Sequence, residues 1–312
     1  MTYDVLIIGG GPAGLSAALV LGRACRKVLL CDAGEPRNSY AHRMHGFLSR
    51  DPFPPDEMLR ISREQVRAYP NVEMRDVRVV ALQGEDGCFT LTDASGRKET
   101  GRKLLLATGL KDTIPEVPGL REIYGHSVHH CPYCDGWEIR DQPVAAYGKG
   151  KRVRGLARTL LGWTRDVVIV TDGPGELIEK AYEEFEALGV PIIENPIKRL
   201  EHDGRRLQSI HFKDRPPIKR AALFFSAGQS QRCDLARSFV GELGPKGALE
   251  TTEYKETWKP GVYCAGDASE EMHMVIVAAG NGATAAVAIN NDLIEKDVEA
   301  VIKAKVTANI KV

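Results

Sequence analysis

The stretch YDVLIIGGGPAG, residues 3–14, decides the fold of this chain. Its first six residues form a short apolar run with β-branched side chains, which predicts a buried parallel strand. The run LSAALVLGRA that follows has the apolar spacing of a helix. Between them, Gly9 permits a tight turn, Gly11 lets the backbone approach a pyrophosphate, and Gly14 lets the helix pack closely on the strand. The stretch therefore predicts a dinucleotide site, with the phosphates at the helix N-terminus.

Three further segments extend this site. A second strand, Lys27–Cys31, ends in Asp32, whose carboxylate can accept hydrogen bonds from ribose hydroxyls. The run KLLLATG, residues 103–109, predicts another buried strand that ends in a turn of small residues. Near the other end of the chain, GVYCAGDA predicts a strand that runs into Gly266 and Asp267, and a helix over 275–296 follows. We expect both ends of the chain to form one nucleotide-binding domain.

Composition and charge limit the classes of protein. A length of 312 residues suggests about two domains. The formal net charge of zero argues against a general nucleic-acid or acidic-membrane surface. No apolar run approaches the roughly 18 residues that span a bilayer, and no charged segment typical of a signal peptide precedes the first strand. We therefore expect a cytoplasmic protein that binds neither nucleic acid nor membrane.

A second motif, HHCPYCDGWE at residues 129–138, has two residues between Cys131 and the pair Cys134-Asp135, in the pattern CxxCD. The other five of the seven cysteines are scattered singly, which does not describe a disulfide scaffold. No further cysteine or histidine pair completes a four-ligand zinc set, so we expect no metal. CPYC alone also resembles glutaredoxin, but glutaredoxins are small chains with the motif near their first strand. The context favours a redox dithiol. Trp137 is more typical of a core side chain than of a stacking residue.

GGGPAG, ATG and CAGDA, with CPYCDG between them, are together similar to the low-molecular-weight thioredoxin reductase family of flavoproteins, over nearly the whole chain. The resemblance implies an α/β fold with two Rossmann-like three-layer nucleotide-binding domains, the second inserted in the first. The FAD-binding domain would span 1–114 and 224–312, and an inserted NAD(P)-binding-like domain over 117–222 would carry the dithiol. It also implies a homodimer and, as partner, a thioredoxin-like protein or a small dithiol. The FAD-binding positions that it implies are Gly9, Gly11, Pro12, Ala13, Gly14, Asp32, Ala107, Thr108, Gly109, Gly266 and Asp267.

The same resemblance assigns catalytic roles around the dithiol. Cys134 is expected to exchange electrons with the flavin, and Cys131 to meet the external partner. Asp135 can shuttle the proton that accompanies thiolate formation, and it can also cap a helix N-terminus, since the two roles are compatible. His129 and His130 either raise the local positive potential or simply fill loop space.

The second nucleotide loop departs from the family pattern. The stretch VAAYGKGKRVRG, residues 144–155, keeps Gly148 and Gly150, but Val153 replaces the third small residue. The next strand is followed by TDGP, residues 171–174, where the NADPH-dependent members of the family have a His-Arg-Arg cluster. Asp172 would repel a 2′-phosphate, and it can accept hydrogen bonds from NADH ribose instead. NADPH is therefore disfavoured, while NADH and the absence of any nicotinamide are both open.

The basic run in the same loop has three interpretations. It can be a solvated helix start, a nucleotide phosphate site, or a docking surface for an acidic protein such as ferredoxin. Its members are Lys149, Lys151, Arg152 and Arg154.

The stretch GEPRNSYAHRMHGF, residues 34–47, resembles a particular branch of the family when it is taken together with CPYCDGWE. This atypical branch includes fungal dithiol oxidases of the gliotoxin-oxidase type and bacterial or cyanobacterial thioredoxin-reductase-like flavoproteins. The resemblance adds Arg37, Asn38 and His45 to the FAD-binding positions. We expect an FAD-dependent dithiol–disulfide oxidoreductase that does not use NADPH in the usual way. The alternatives are an oxygen-dependent dithiol oxidase, an ordinary NAD(P)H thioredoxin reductase, and a non-enzymatic redox sensor.

Overall fold

A computed structural model describes residues 2–241, 243–244, 247–270 and 272–309. The helices are α1 (Pro12–Arg23), α2 (Pro55–Arg67), α3 (Pro132–Asp135), α4 (Gly150–Leu160), α5 (Glu179–Ala187), α6 (Leu235–Val240) and α7 (Val275–Asn309). The strands of the first half are β1 (Thr2–Ile8), β2 (Val28–Asp32), β3 (Val72–Asp76), β4 (Val79–Glu85), β5 (Cys88–Asp93), β6 (Lys98–Leu106), β7 (Leu110–Asp112), β8 (Val128–His129) and β9 (Val144–Gly148). The others are β10 (Val167–Val170), β11 (Ile192–Ile193), β12 (Ile197–His202), β13 (Leu207–Phe212), β14 (Ile218–Lys219), β15 (Ala222–Ser226), β16 (Gln229–Gln231) and β17 (Val262–Cys264).

The chain divides into two compact units. Unit 1 comprises Met1–Arg37, Asp56–Lys111 and Ser230–Val312, and unit 2 comprises Asn38–Pro55 and Asp112–Gln229. The predicted boundaries had assigned residues 38–55 to the first domain, whereas this segment packs with unit 2. Its side chains contact residues near the dithiol that are distant in sequence. Local sequence patterns do not predict contacts of this kind.

Unit 1 is built on a seven-stranded sheet in the order β3-β2-β1-β6-β5-β4, with β17 also paired to β6. β1 pairs in parallel with β2 and with β6, so the glycine-rich turn leaves the carboxyl end of a central strand. Side chains of β1 alternate between two cores. Val5 and Ile7 pack in the core that includes α1 and α7, while Leu6 and Ile8 pack in the core that includes α6. The sheet is thus covered on both faces, as its parallel strands require, while β5 pairs antiparallel with β4 and β6.

Helix α7 is fastened to the sheet of unit 1 by buried charges. The side chain of Lys103, on β6, is fully buried, and its Nζ lies 2.6 Å from a carboxylate oxygen of Asp86. The same ammonium group pairs with Asp292 of α7. A buried ammonium is tolerated when carboxylates compensate its lost hydration, so this contact fixes where α7 lies on the sheet.

Unit 2 contains a five-stranded parallel sheet in the order β11-β10-β9-β15-β8 and a three-stranded antiparallel sheet, β12-β13-β14. One face of the parallel sheet packs on α4 and α5, and the other face packs on the three-stranded sheet. The predicted α/β class with two Rossmann-like domains is confirmed. No helix among the described residues is both long enough and apolar enough to span a bilayer.

Candidate active site

The dithiol motif forms the first turn after β8 in unit 2. Cys131 and Cys134 are joined as a disulfide, with their Cα atoms 5.3 Å apart. Cys131 precedes the short helix α3 and Cys134 lies within it, so the helical turn brings the two sulfurs together. Both cysteines are partly exposed, which leaves the sulfur pair open to exchange with an external thiol. The two predicted catalytic cysteines are therefore paired and accessible.

The other cysteines of the chain are free thiols. Burial raises the pKa of Cys31 to about 11 and that of Cys264 to about 12. Because the thiolate is the reactive form, these two thiols are unreactive at neutral pH. Cys25 and Cys88 are exposed as single thiols without a paired sulfur. Among the described residues, the redox chemistry of a disulfide is confined to the CPYC motif.

Asp135 is the last residue of α3 and directly follows Cys134. Its Oδ1 atom lies 3.1 Å from Nδ1 of His129. The predicted alternative, that Asp135 caps the N-terminus of a helix, is wrong because Cys131 occupies the cap position. His130 faces elsewhere, with its Nδ1 atom 2.9 Å from the hydroxyl of Tyr124. The structure therefore separates the roles of the two histidines: only His129 contacts the acid of the motif.

The prediction that Trp137 is a core residue is wrong, since its side chain is 65% exposed. The guanidinium of Arg140 lies over its ring, 4.0 Å from the centroid, and a cation in this position compensates part of the exposure. Tyr133, inside the CPYC motif, is 72% exposed and meets Trp163 edge-on with ring centroids 5.4 Å apart. The apolar character of Tyr133 and Trp137 did not predict their exposure, because it does not indicate which face of a helix as short as α3 each ring occupies.

Segment 38–55 lies against the dithiol region of unit 2. The contacts are ring pairs Tyr40–Tyr124 and His42–His126, with centroids 5.1 and 4.3 Å apart, and His45 Nε2 with Glu138 Oε1 at 3.6 Å. His45 also holds Asp51 at 2.8 Å through Nδ1. Asn38 and His45 were predicted to contact FAD. The structure places both in unit 2, and their contact with a cofactor stays a prediction.

The first glycine-rich loop has the geometry that a pyrophosphate requires. Gly9 has a φ of +111°, and a Cβ atom there would overlap the carbonyl oxygen of Ala107. A Cβ atom at Gly14 would overlap the carbonyl oxygen of Gly9, so the helix and strand touch at this point. A Cβ atom at Gly11, by contrast, would meet nothing within 4 Å. No side chain of the described residues caps α1, which begins with Pro12. Open space and free backbone N–H groups thus coincide at the helix N-terminus.

Most of the remaining predicted cofactor residues of unit 1 lie at or just after the ends of β2, β6 and β17. Arg37 pairs with Asp267 at 2.8 Å, which brings two of them together. The Oγ1 atom of Thr108 and the Nδ2 atom of Asn281 are buried with no hydrogen-bond partner among the described residues. Buried polar atoms rarely lack partners, so these two point to a polar ligand. Ala107, Thr108 and Gly109 follow β6, and Gly266 follows β17.

Asp32 borders a cavity of about 170 Å³ at the carboxyl end of β2. Its carboxylate pairs with Arg63 of α2 and accepts the backbone N–H of Gly34 at 3.2 Å. A carboxylate has about four acceptor positions, so capacity is left for ribose hydroxyls. Arg63 and Asn281 were missed in the sequence. Asn281 carried one indication, as a polar residue among the glycines and alanines of α7, whereas Arg63 carried none.

The second glycine-rich loop, in unit 2, is engaged by its own chain. The N–H of Gly150, the first residue of α4, donates to the carbonyl oxygen of Gly175 at 2.7 Å. Lys149 lies 3.8 Å from the carboxylate of Glu176. Asp172 accepts the backbone N–H of Ile197 at 2.6 Å, so its carboxylate holds the fold of the loop. The segment after β10 therefore occupies donors that a nucleotide phosphate would use in a working site.

The basic run also forms pairs within unit 2. Arg154 donates two hydrogen bonds to Glu184, at 2.8 and 2.6 Å, and Arg152 donates to the carbonyl oxygen of Ala227 at 3.2 Å. These contacts favour the interpretation of the run as a helix start. No cluster of three or more metal-ligating side chains occurs in the part of the chain that the structure describes.

The family described as pyridine nucleotide-disulphide oxidoreductase matches residues 3–289. The chain belongs to this family. Thioredoxin reductase aclD of Aspergillus oryzae is 32% identical over 312 residues, which cover 93% of this chain and 96% of aclD. The solved structure of HlmI has a TM-score of 0.93 at 35% identity and covers 98% of this chain and 97% of its own. The putative thioredoxin reductase TrxB of Bacillus anthracis has a TM-score of 0.88 at 32% identity, covering 95% and 99%.

These similarities confirm the family resemblance that the sequence motifs predict. The chain is a member of the thioredoxin-reductase-like group of disulfide oxidoreductases, as predicted, and the group contains fungal proteins such as aclD. The prediction that it is an enzyme of this type is confirmed. Proteins of this family are generally flavoproteins.

The contact between His42 and His126 predicts that the stability of this oxidoreductase depends on pH. Burial, followed by the charges of His42 and Arg205, lowers the pKa of His126. A histidine whose folded-state pKa is depressed stabilises the protein above its ordinary pKa of about 6.5, and this stability is lost as the pH falls towards the folded-state pKa. In His126→Asn, the free energy of unfolding should therefore fall less between pH 7 and pH 5 than it does in the wild type. Urea unfolding at several pH values measures this.

The matched variants are His42→Asn and His202→Asn. The first removes one titratable ring facing His126 and should retain part of the effect, while the second leaves the pair intact and should behave like the wild type. Identical pH profiles for wild type and His126→Asn would contradict the assignment.

Proposed function

We propose that the protein is an FAD-dependent dithiol–disulfide oxidoreductase whose electrons pass between the flavin and the Cys131–Cys134 pair, and then to or from a thioredoxin-like protein or a small dithiol. The observation that carries the proposal is the accessible disulfide beside Asp135 in a chain of the thioredoxin-reductase-like group. Catalytic roles for Cys131, Cys134 and Asp135 follow from this proposal.

The FAD part of the proposal is supported by the fit of unit 1. The open space at Gly11, the uncapped start of α1 and the partnerless Thr108 Oγ1 suit a ligand that carries a pyrophosphate and further polar groups. Asp32 would hold the ribose, and Asp267, oriented by Arg37, lies at the other strand end. FAD bound there would supply a two-electron acceptor or donor for the dithiol.

The proposal excludes NADPH as the ordinary electron source. The start of α4 is capped by the carbonyl of Gly175 and faced by the carboxylate of Glu176. A nucleotide phosphate would have to displace the first and would be repelled by the second. Asp172, the position that would meet the 2′-phosphate, is acidic and already bonded to Ile197. These contacts support electron transfer that starts or ends at a dithiol.

The partner part of the proposal is supported by the surface around the dithiol. Tyr133 and Trp137 expose large rings beside the disulfide, and such rings are typical of the centre of a protein–protein or ligand interface. Ferredoxin is less favoured, because Arg154 and Lys149 are engaged with acids of unit 2. A homodimer and a cytoplasmic location complete the proposal by analogy with the family, and sedimentation and cell fractionation test them.

The test is an anaerobic bleaching assay on purified protein. A dithiol, NADPH, NADH and reduced ferredoxin are added in turn while the flavin absorbance is followed, with dithionite as the positive control. The dithiol should bleach the flavin within seconds, and both nicotinamides should act at least about 100-fold more slowly, since only the dithiol has an accessible entry. Rapid bleaching by NADPH would contradict the proposal and would indicate an ordinary thioredoxin reductase. Peroxide release when air is admitted would identify oxygen as the acceptor.

A further inference from the structure

His129 joins the dithiol motif to the interior of unit 2. Its side chain is only 7% exposed, and its ring lies against Phe224 of β15 with centroids 5.3 Å apart. Its Nδ1 atom is 3.1 Å from Oδ1 of Asp135, which is itself partly exposed and adjacent in sequence to Cys134. A buried imidazole thus backs the acid that stands next to the dithiol.

Thiol–disulfide exchange at this site moves protons as well as electrons. A partner thiolate attacks one sulfur of the Cys131–Cys134 disulfide, the S–S bond breaks, and the released cysteine thiolate takes up a proton. The second partner thiolate then breaks the mixed disulfide and releases the other cysteine. Two electrons pass from the partner dithiol to the cysteine pair, and two protons pass from the partner thiols to the cysteines.

An aspartate is a poor proton carrier for this step at neutral pH. An ordinary aspartate titrates near pH 3.9 and binds about one proton per thousand molecules at pH 7, whereas an ordinary histidine titrates near pH 6.5. A carrier works best when its proton is held and released near the operating pH. An imidazole in contact with the aspartate supplies that property.

We infer that His129 is the positioning residue of the acid, and that the His129–Asp135 pair carries as one unit the proton that Cys134 takes up or releases. The inference rests on the proposed function. The pair is neutral while the imidazole is protonated and carries one negative charge afterwards, so it controls the charge beside the thiol. The titratable neighbours that the structure records at the pair are Cys131, which precedes α3, Cys134 within it, and His126, whose charge interacts with His129. The contact from β15 is Phe224, which does not titrate.

The experiment measures the rate at which iodoacetamide alkylates Cys134 in the reduced protein between about pH 5.5 and 9.5. Mass spectrometry resolves the site. In His129→Asn, the amide nitrogen can replace Nδ1 as donor to Asp135 but carries no titrating proton. Wild type should react about tenfold faster than this variant near pH 6, because one nearby charge shifts a thiol pKa by about one unit. The ratio should fall below about twofold at pH 9, because an ordinary imidazole carries no proton at that pH.

Two further variants make the test specific. Asp135→Asn keeps the imidazole but removes the carboxylate that it contacts. The alkylation rate of Cys134 should therefore still change in a step with pH, and this step should move to lower pH. His211→Asn breaks a matching histidine–carboxylate pair, His211 with Glu201 at 2.8 Å, in the three-stranded sheet of the same unit, and should give the wild-type profile. A ratio that is constant across the pH range, or an equal effect of His211→Asn, would overturn the inference. If His129→Asn does not fold, the inference is still overturned when the pH-dependent step in the alkylation rate of Asp135→Asn lies at the same pH as in the wild type.

Alkylation of the reduced cysteines requires neither a flavin nor turnover. Failure of the inference is therefore distinguishable from failure of the proposed function, which the bleaching assay decides separately.

Discussion

Replacing Cys134 by serine should lower dithiol turnover at least about 10³-fold while the bound flavin remains, because a hydroxyl can neither form the disulfide nor leave as a thiolate. Serine is close in volume to cysteine, and the position is partly exposed at the end of a short helix, so the fold should tolerate it. Steady-state oxidation of a dithiol measures the loss, and the visible spectrum of the purified variant measures flavin content.

The matched control for this variant is Cys88→Ser. Cys88 is a free, exposed thiol in unit 1, so its removal tests whether loss of any surface thiol affects turnover. Turnover in the control should equal that of the wild type. Undiminished turnover in Cys134→Ser would remove the CPYC pair from the mechanism and with it the proposed function.

Replacing Gly11 by alanine should weaken FAD binding at least about tenfold with little change in melting temperature. A Cβ atom at this position meets no protein atom within 4 Å, so the apoprotein gains no clash. The added methyl group projects into the space reserved for the pyrophosphate, and its cost therefore appears only when the ligand is bound. Titration of apoprotein with FAD, followed by flavin fluorescence, measures the affinity.

Two other glycines calibrate this result. Gly14→Ala should destabilise the protein itself, because its Cβ atom would overlap the carbonyl oxygen of Gly9. Gly155→Ala lies in helix α4 of unit 2, where a Cβ atom again meets nothing, and should leave FAD affinity unchanged. Unaltered FAD affinity in Gly11→Ala would refute the assignment of the first loop to the pyrophosphate.

The parts of the molecule that local sequence could predict are those set by short-range physics. The strand–glycine–helix unit at Gly9, Gly11 and Gly14 depends on neighbouring residues and on backbone freedom, and the structure has it where the sequence predicts it. The CPYC disulfide is similarly local, since only two residues separate its cysteines and one helical turn closes it.

The parts that could not be predicted depend on side chains distant in sequence. Arg63 reaches Asp32 across 31 residues, and His42 meets His126 across 84. The position of Asp172 after a strand predicts an acid that accepts hydrogen bonds from a nucleotide ribose, yet its carboxylate accepts the backbone N–H of Ile197, 25 residues later. The exposure of Trp137 depends on where a four-residue helix ends and on a neighbouring arginine. A residue type is compatible with several such partners, so its pattern alone does not choose among them.

The fastening of α7 onto the sheet has a consequence for how the protein is made. Unit 1 is completed by β17 and α7, which the ribosome synthesises after both segments of unit 2. About 190 residues separate Lys103 from Asp292, which corresponds to roughly 10–40 s of translation. During that interval the apolar faces of α1 and of the first sheet lack their covering helix, and Lys103 lacks Asp292. In the nascent chain, unit 2 is therefore complete before unit 1 is. The interval in which unit 1 lacks its last elements is the one in which chaperones would be needed most.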